Sequence, residues 1–295
     1  MSVRIDREDA LSFLLALGRR AADAMMRIYA QGNVAVEYKG KDDPVTIADR
    51  ESNALLCEAI GRKYPGVPIV AEESDPATFA GWADAKAAWF VDPLDGTREF
   101  IARNGEFAVM IGLAEEGRAT LGVLVCPALG RDFVGATGTG AFEVTRSGAK
   151  RELRVSTVGS LAEAEIVVSR SHRPSALDDG TSQAPPGRGL HPGAAARLGV
   201  RKVTPCGSAG VKAARVAAAE ADIYAQPGRA GKLWDACAPE AIVRAAGGTV
   251  TDEVGAPYDY ARGGDLTNSR GLIVTNGKLH QAVLDLVRVA GQGSP

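Results

Sequence analysis

Three separated stretches of this chain carry acidic side chains at places where a fold gathers them. Ala71-Glu72-Glu73-Ser74 is followed by Trp89-Phe90-Val91-Asp92-Pro93-Leu94-Asp95-Gly96-Thr97 and, much later, by Leu233-Trp234-Asp235-Ala236-Cys237. Each acid follows an apolar run that reads as a strand, or opens a segment that reads as a helix, and α/β folds assemble their sites at such ends. Carboxylates brought together repel one another unless cations lie between them, and hard divalent ions such as Mg²⁺ favour oxygen ligands. Next to a Gly-Thr turn, that chemistry is the chemistry of phosphate.

Asp92 and Asp95 flank Pro93-Leu94, and Pro93 fixes its own φ and brings no N–H. In a tight turn the two carboxylates and the Leu94 carbonyl can converge on one cation. Gly96 and Thr97 follow at an expected helix start, where free amides favour phosphate, and the Thr97 hydroxyl can orient a water. Taken singly these residues have ordinary roles: Asp-Pro-x-Asp-Gly is a good turn sequence, Asp235 a good helix cap, Asp43 a turn residue. Their joint occurrence is what points to a site.

The positioning elements are legible in outline. Asp6 caps a helix through Tyr29, with Leu11, Leu14, Leu15, Met25 and Ile28 as its apolar side. Residues 37–44 read as a polar loop, and a helix is expected from near Ala48 to Tyr64, stopped by Pro65-Gly66. Val67–Ala71 and Ala87–Val91 read as strands that end at Glu72 and Asp92. Phe107–Ala114, Thr120–Cys126 and Asp132–Ala136 form an antiparallel meander. In the second half, Glu165–Ser169, Ala221–Ala225 and Thr249–Thr251 read as strands. Ser208–Glu220 and Trp234–Ala246 read as helices, and residues 174–199 permit no assignment. The expected organisation is an α+β lobe over residues 1–150, carrying most metal ligands, and an α/β lobe over 151–295 that supplies Asp235 and the substrate contacts.

Bulk properties narrow the function classes. The chain has 295 residues, 45% of them apolar and 24% charged, enough for a large core and ordinary for a globular protein. A net charge of -2 gives no polycation for a nucleic acid polymer or an anionic membrane. No apolar run approaches the roughly 18 residues that span a bilayer. The first residues carry acids and no signal-peptide pattern. Cys57, Cys126, Cys206 and Cys237 are widely spaced, as expected of free core thiols, and the expected location is cytoplasmic. His172, His191 and His280 show no zinc spacing.

Together, Asp43-Pro-Val-Thr-Ile-Ala-Asp49, Ala71-Glu72-Glu73-Ser74, Val91-Asp-Pro-Leu-Asp-Gly-Thr97 and Trp234-Asp235-Ala-Cys-Ala-Pro-Glu240 resemble the motifs of the lithium-sensitive, Mg²⁺-dependent phosphatases of the inositol monophosphatase and fructose-bisphosphatase superfamily. Within it, Asp95-Gly-Thr-Arg-Glu-Phe-Ile101 with Arg103-Asn-Gly-Glu-Phe107 resembles the 3'(2'),5'-bisphosphate nucleotidases. So do Val168–His172 and Cys206–Lys212. The resemblance implies an α/β (α+β) protein, a layered α-β-α-β-α sandwich of the sugar-phosphatase type. It implies that Glu72, Asp92, the Leu94 carbonyl, Asp95 and Asp235 hold two to three Mg²⁺. Asp43 and Thr97 would orient and deprotonate a metal-activated water, and Gly96, Thr97, Ser169, His172, Gly207, Ser208, Lys212 and Asp235 would contact substrate. The implied reaction converts adenosine 3',5'-bisphosphate to AMP and phosphate, in a monomer or homodimer. Hydrolysis of inositol monophosphate or another sugar phosphate is the nearest alternative. A metal- or ligand-binding homologue without catalysis is the alternative of another class.

Overall fold

The computed structural model describes residues 5–32, 35–40, 43–170 and 199–292. Helix α1 (Arg7–Ala30) starts at Asp6, whose carboxylate accepts from the Asp9 N–H at 2.9 Å. Its apolar stripe Leu11, Leu14, Leu17 and Met25 is buried. Helix α2 (Ile47–Lys63) starts at a capping box in which Thr46 and Asp49 satisfy each other's backbone N–H groups. Both helices lie on one face of a seven-stranded sheet, of strand order β3-β4-β5-β6-β7-β8-β9. Its strands are β3 (Ile69–Ala71), β4 (Ala87–Asp95), β5 (Ala108–Glu115), β6 (Arg118–Cys126), β7 (Arg131–Ala136), β8 (Gly140–Val144) and β9 (Lys150–Glu152). All neighbours are antiparallel except β3 and β4.

Side chains alternate across this sheet, as strand geometry requires. Trp89, Val91, Val109, Ile111, Val123 and Val125 face α1 and α2, while Phe90, Met110 and Leu124 face the other way. On that second face lies α5 (Leu233–Ala245), and three glycines let it approach. Gly112, Gly122 and Gly135 stand in register on β5, β6 and β7. A Cβ at any of them would come within 3.0 Å of Ala238 or Ile242 backbone atoms. The glycine row is a trough that admits the helix backbone against the sheet.

Beyond α5 and its neighbour α4 (Ala209–Ala217) comes a five-stranded sheet of order β11-β10-β12-β14-β13, with β10 (Glu165–Ser169), β11 (Lys202–Cys206), β12 (Ile223–Gln226), β13 (Thr249–Thr251) and β14 (Leu272–Thr275). Its outer face, Ile166, Val168, Ile223, Ala225 and Ile273, is covered by Leu279, Val283, Leu284 and Val287 of α6 (His280–Gln292) and the residue before it. The order of layers is therefore helix, sheet, helix, sheet, helix.

Two local expectations need correction, and three elements were not expected. Residues 37–44 are not a plain polar loop: β1 (Val36–Gly40) and β2 (Asp43–Thr46) pair as an antiparallel hairpin, with Glu37 opposite Val45 and Tyr38 opposite Pro44. The strand expected to end at Asp92 runs on to Asp95, because a bulge accommodates Pro93. β11, although Val203 and Thr204 are β-branched, lay outside the sequence-based expectation. So did β14 and α6, although Leu272-Ile-Val-Thr275 and the spacing of Leu279, Val283 and Val287 carry their periods.

Candidate metal centre

The bulge in β4 is what aims two acids the same way. Asp92 pairs with Met110 and Asp95 with Ala108, so three steps on β4 match two on β5. In a regular strand, residues three apart point to opposite faces; the extra residue reverses the alternation, and Asp95 faces the middle layer with Asp92. Pro93 is tolerated because a bulge leaves one N–H without a ladder partner. The Ser52 hydroxyl, on α2, donates to the Pro93 carbonyl at 2.9 Å, and the Asp92 carboxylate accepts from the Leu94 N–H at 3.0 Å.

Asp235 arrives from the first turn of α5. Its carboxylate accepts from the Lys232 N–H at 2.5 Å, and it thus caps the helix while facing the cluster. Gly231 makes room for it: a Cβ there would sit 2.4 Å from the Asp235 carboxylate. Asp92, Asp95 and Asp235 each offer an oxygen, and these oxygens all lie within 4.8 Å of one another. Glu72, whose N–H donates to the Val91 carbonyl at 3.1 Å, lines the same cleft. Burial, and then the charges of Glu72, Asp95 and Asp235, hold the Asp92 carboxyl well above the usual range. Burial and the neighbouring acids do the same to Asp235. Burial pushes Glu72 up to about 7 against the opposing pull of Lys39. An all-oxygen donor set with this mutual repulsion fits a hard divalent cation.

The structure brings Thr97 to Asp49, an acid to which the sequence reading gave no role. Thr97 Oγ1 donates to Asp49 Oδ1 at 2.9 Å and lies 3.3 Å from the Leu94 carbonyl. The other Asp49 oxygen accepts from the Thr46 N–H and hydroxyl at 2.7 and 2.6 Å. Burial raises the Asp49 carboxyl, although these hydrogen bonds oppose it. Asp43 lies at the start of β2, opposite Gly40. Sequence reasoning quoted Asp49 only as the end of the Asp43–Asp49 stretch and gave it no role; its local role in the structure is the capping box with Thr46.

The second half closes the cleft. Asp95 sits at the N-terminus of α4, where Ala209 and Gly210 donate their N–H groups to it at 3.1 and 2.7 Å, and the Ser208 hydroxyl donates to it as well. Val211 donates to Ser208 Oγ at 3.0 Å and Gly207 to Glu106 at 2.6 Å. The amides of this turn, where Gly207 and Ser208 were expected to contact substrate, are thus committed to Asp95, Ser208 and Glu106. Lys212 is buried, with its ammonium 4.9 Å from the centre of the Tyr224 ring. Burial lowers its pKa, while Cys206, Asp95 and Glu99 pull the other way. Ser169, Gly96, Leu94 and Ser208 line the cleft; Gly207 does not appear on its wall. His172 and residues 174–198 lie outside the described residues. The cleft encloses about 680 Å³, and Lys39, Arg98, Lys212, Arg229 and Lys232 give its wall positive charge beside the acids.

The model of the inositol monophosphatase family matches residues 6–292. The chain is 35% identical over 246 residues to the 3'(2'),5'-bisphosphate nucleotidase CysQ of Salmonella typhimurium, covering 83% of this chain and 91% of the relative. It is 32% identical over 284 residues to the histidinol-phosphatase of Mycobacterium tuberculosis, covering 94% and 96%. Among solved structures, the Thermotoga maritima IMPase superposes with a TM-score of 0.78 at 28% identity, covering 96% of this chain and 98% of that one. The extragenic suppressor protein suhB of Bartonella henselae has the same fold, at a TM-score of 0.77 and 24% identity, over 95% and 98% of the two chains.

Proposed function

The chain belongs to the inositol monophosphatase family and is a phosphatase of that superfamily, and from that premise we propose that it is a Mg²⁺-dependent 3'(2'),5'-bisphosphate nucleotidase acting on adenosine 3',5'-bisphosphate. One observation carries the reading: a single cleft joins three carboxylates within 4.8 Å of one another to a wall bearing Lys212, Arg229 and Lys232. A bisphosphorylated substrate has one phosphate to cleave and one to retain, and the two halves of this cleft suit those two tasks.

Glu72, Asp92, the Leu94 carbonyl, Asp95 and Asp235 would hold the ions. Bound there, Mg²⁺ supplies the positive charge that draws in phosphoryl oxygens and makes a water more acidic. Thr97 gives its hydroxyl proton to Asp49, so its lone pairs are free to accept from a water at the mouth of the cluster. Asp49, whose carboxyl is raised by burial, is suited to taking up a proton through Thr97. We assign to Asp49 the part that the family resemblance implies for Asp43. Lys212 meets the retained phosphate as a cation without its neighbouring amides, which serve Asp95. Arg229 and Lys232, both beside Thr267 Oγ1 at 3.4 and 3.0 Å, extend that charge.

The histidinol-phosphatase relative supports a second reading, in which the ester carries a single phosphate. A panel of adenosine 3',5'-bisphosphate, histidinol phosphate and inositol 1-phosphate decides between them. Phosphate release should need Mg²⁺, stop with chelator, and give the highest kcat/KM on the bisphosphate. Lys212→Ala should lower that value at least about tenfold, and the values for monophosphates less. Equal losses, or a parent that prefers a monophosphate, would hand the site to the second reading.

A further inference from the structure

Glu106 lies outside the acidic cluster, yet one carboxylate there ties together both halves of the chain around Asp95. It sits on the connection from α3 (Thr97–Ile101) to β5. Arg170, just past β10, reaches it in a two-pronged ion pair, Nε to Oε2 and Nη2 to Oε1, both 2.8 Å. The same guanidinium donates to the Pro205 carbonyl at 2.9 Å, and the Arg170 N–H donates to the Cys206 carbonyl at 3.1 Å. Gly207 completes the set by donating its N–H to Glu106 Oε2 at 2.6 Å. Burial opposes a charge here, but Arg170 and the Gly207 amide hold the Glu106 carboxyl below its ordinary value.

The three residues after Gly207 give this clamp its purpose: Ser208, Ala209 and Gly210 all donate to Asp95. Ser208 has φ 53 and ψ 131, a left-handed value that a non-glycine residue keeps only where its surroundings determine it. The turn is also close-packed, since a Cβ on Gly207 would lie 2.1 Å from the Glu99 side chain. One turn further on, Lys212 is fixed by the same start of α4. The orientation of Asp95 and the place of Lys212 therefore depend on a single strained turn, and Glu106 anchors its leading residue.

We propose that Glu106 is a positioning residue: by clamping Gly207 and Arg170 it holds Ser208, Ala209 and Gly210 in donating geometry toward Asp95, coupling the ion-binding cluster to the Lys212 helix. The proposal rests on the phosphatase reading but not on the identity of the ester. Both oxygens of Glu106 are in use, so the pair Arg170–Gly207 cannot be served by a smaller or neutral side chain without loss.

The test uses the full chain as the variants Glu106→Ala, Glu106→Gln, Arg170→Ala and the double alanine variant. Three readouts are taken: kcat and KM on the parent's best ester, Mn²⁺ affinity of metal-stripped protein by calorimetry, and hydrogen exchange of the 207–212 amides. Glu106→Ala should lower kcat about a hundredfold, weaken Mn²⁺ binding, and speed exchange at 207–212. Glu106→Gln, whose one carbonyl can still accept from Gly207 while its NH2 meets the Arg170 guanidinium donor to donor, should fall between the parent and Glu106→Ala. Arg170→Ala, a surface change that leaves the core intact, should give a smaller loss of the same kind. The double variant should be no worse than Glu106→Ala, since both side chains act through one clamp. A folded Glu106→Ala, or Arg170→Ala if that fails to fold, with parental kcat and Mn²⁺ affinity would overturn the assignment, as would additive losses. A parent that neither binds Mn²⁺ nor releases phosphate would overturn the phosphatase reading and this inference with it.

Discussion

Buried carboxylates occur in two settings in this protein, and they are treated in opposite ways. Away from the cleft, each has a cation or a full set of donors. Asp132 accepts from Arg19 at 2.7 Å; Glu240 accepts from Arg244 at 3.1 Å and from the Tyr260 hydroxyl at 2.8 Å. Glu165 accepts from Thr204 at 2.7 Å and Lys202 at 3.2 Å, and Asp222 from the Glu165 N–H at 2.7 Å and the Ser156 hydroxyl. In the cleft, Asp92, Asp95 and Asp235 face one another, and Asp92 and Asp235 are raised well above the usual range. Burial alone does not separate the two groups, since Glu240 is 1% exposed and Asp92 2%. The separating feature is the nearness of the acids to one another: Asp95 accepts from Ser208, Ala209 and Gly210 like any structural carboxylate, yet it also lies within 4.8 Å of Asp92 and Asp235, as no acid of the first group does among those named.

The largest expected effect breaks the second group. Asp235→Asn keeps the size and the helix-capping oxygen but removes a charge from the cluster. It should reduce phosphate release at least about a hundredfold while leaving the metal-free fold intact or slightly more stable, because a repulsion has been removed. Steady-state kinetics beside thermal melts in chelator check both halves. Full activity in Asp235→Asn would reduce Asp235 to the cap it also forms.

The first group predicts the reverse pattern. Glu240→Gln loses a charged partner for Arg244 and weakens the Tyr260 bond inside the middle layer. The expected cost is about 1.5–3 kcal/mol of stability, read by denaturant unfolding, with kcat per folded molecule unchanged. A drop in kcat without a drop in stability would place Glu240 with the cleft acids and dissolve the distinction.

How much of this was legible beforehand depends on the range of each interaction. Trp89-Phe90-Val91 announces the strand that carries Asp92, because apolar runs and β propensity are local. The bulge that turns Asp95 to the same face is not written in any five-residue pattern; it is set by pairing with Met110 and Ala108. Asp49 has a complete local role in the capping box, and its second role shows only when Thr97, 48 positions away, is seen to donate to it. The start of α4 was legible as a helix start, but its amides were assigned to a ligand because their partner, Asp95, lies more than a hundred residues earlier. The layered order of helices and sheets followed from family motifs rather than from periodicity, and the final strand and helix were readable but unread.

The smallest expected effect sharpens the comparison through pH. Glu72 is raised from an ordinary 4.5 to about 7, chiefly by burial. A carboxyl raised in the folded state favours folding in its protonated form, so its contribution is complete below about 4.5 and is lost as pH rises through about 7. Stability of chelated protein should therefore fall between pH 6 and pH 8, by about 1 kcal/mol from this group, within the limit of roughly 1.4 kcal/mol per pH unit per proton. Glu165 has the opposite sign: lowered because Thr204, Lys202 and Arg215 outweigh burial, it contributes above its ordinary 4.5 and loses that contribution as pH falls. Melting the chelated protein across pH 5 to 8, with and without Glu72→Gln, isolates the cleft's share. Saturating Mg²⁺ should flatten the alkaline slope, because a bound cation reverses the preference of every carboxylate it touches. An alkaline slope that survives both Glu72→Gln and Mg²⁺ would mean that the repulsion resides elsewhere, and that the cleft acids are not the strained group.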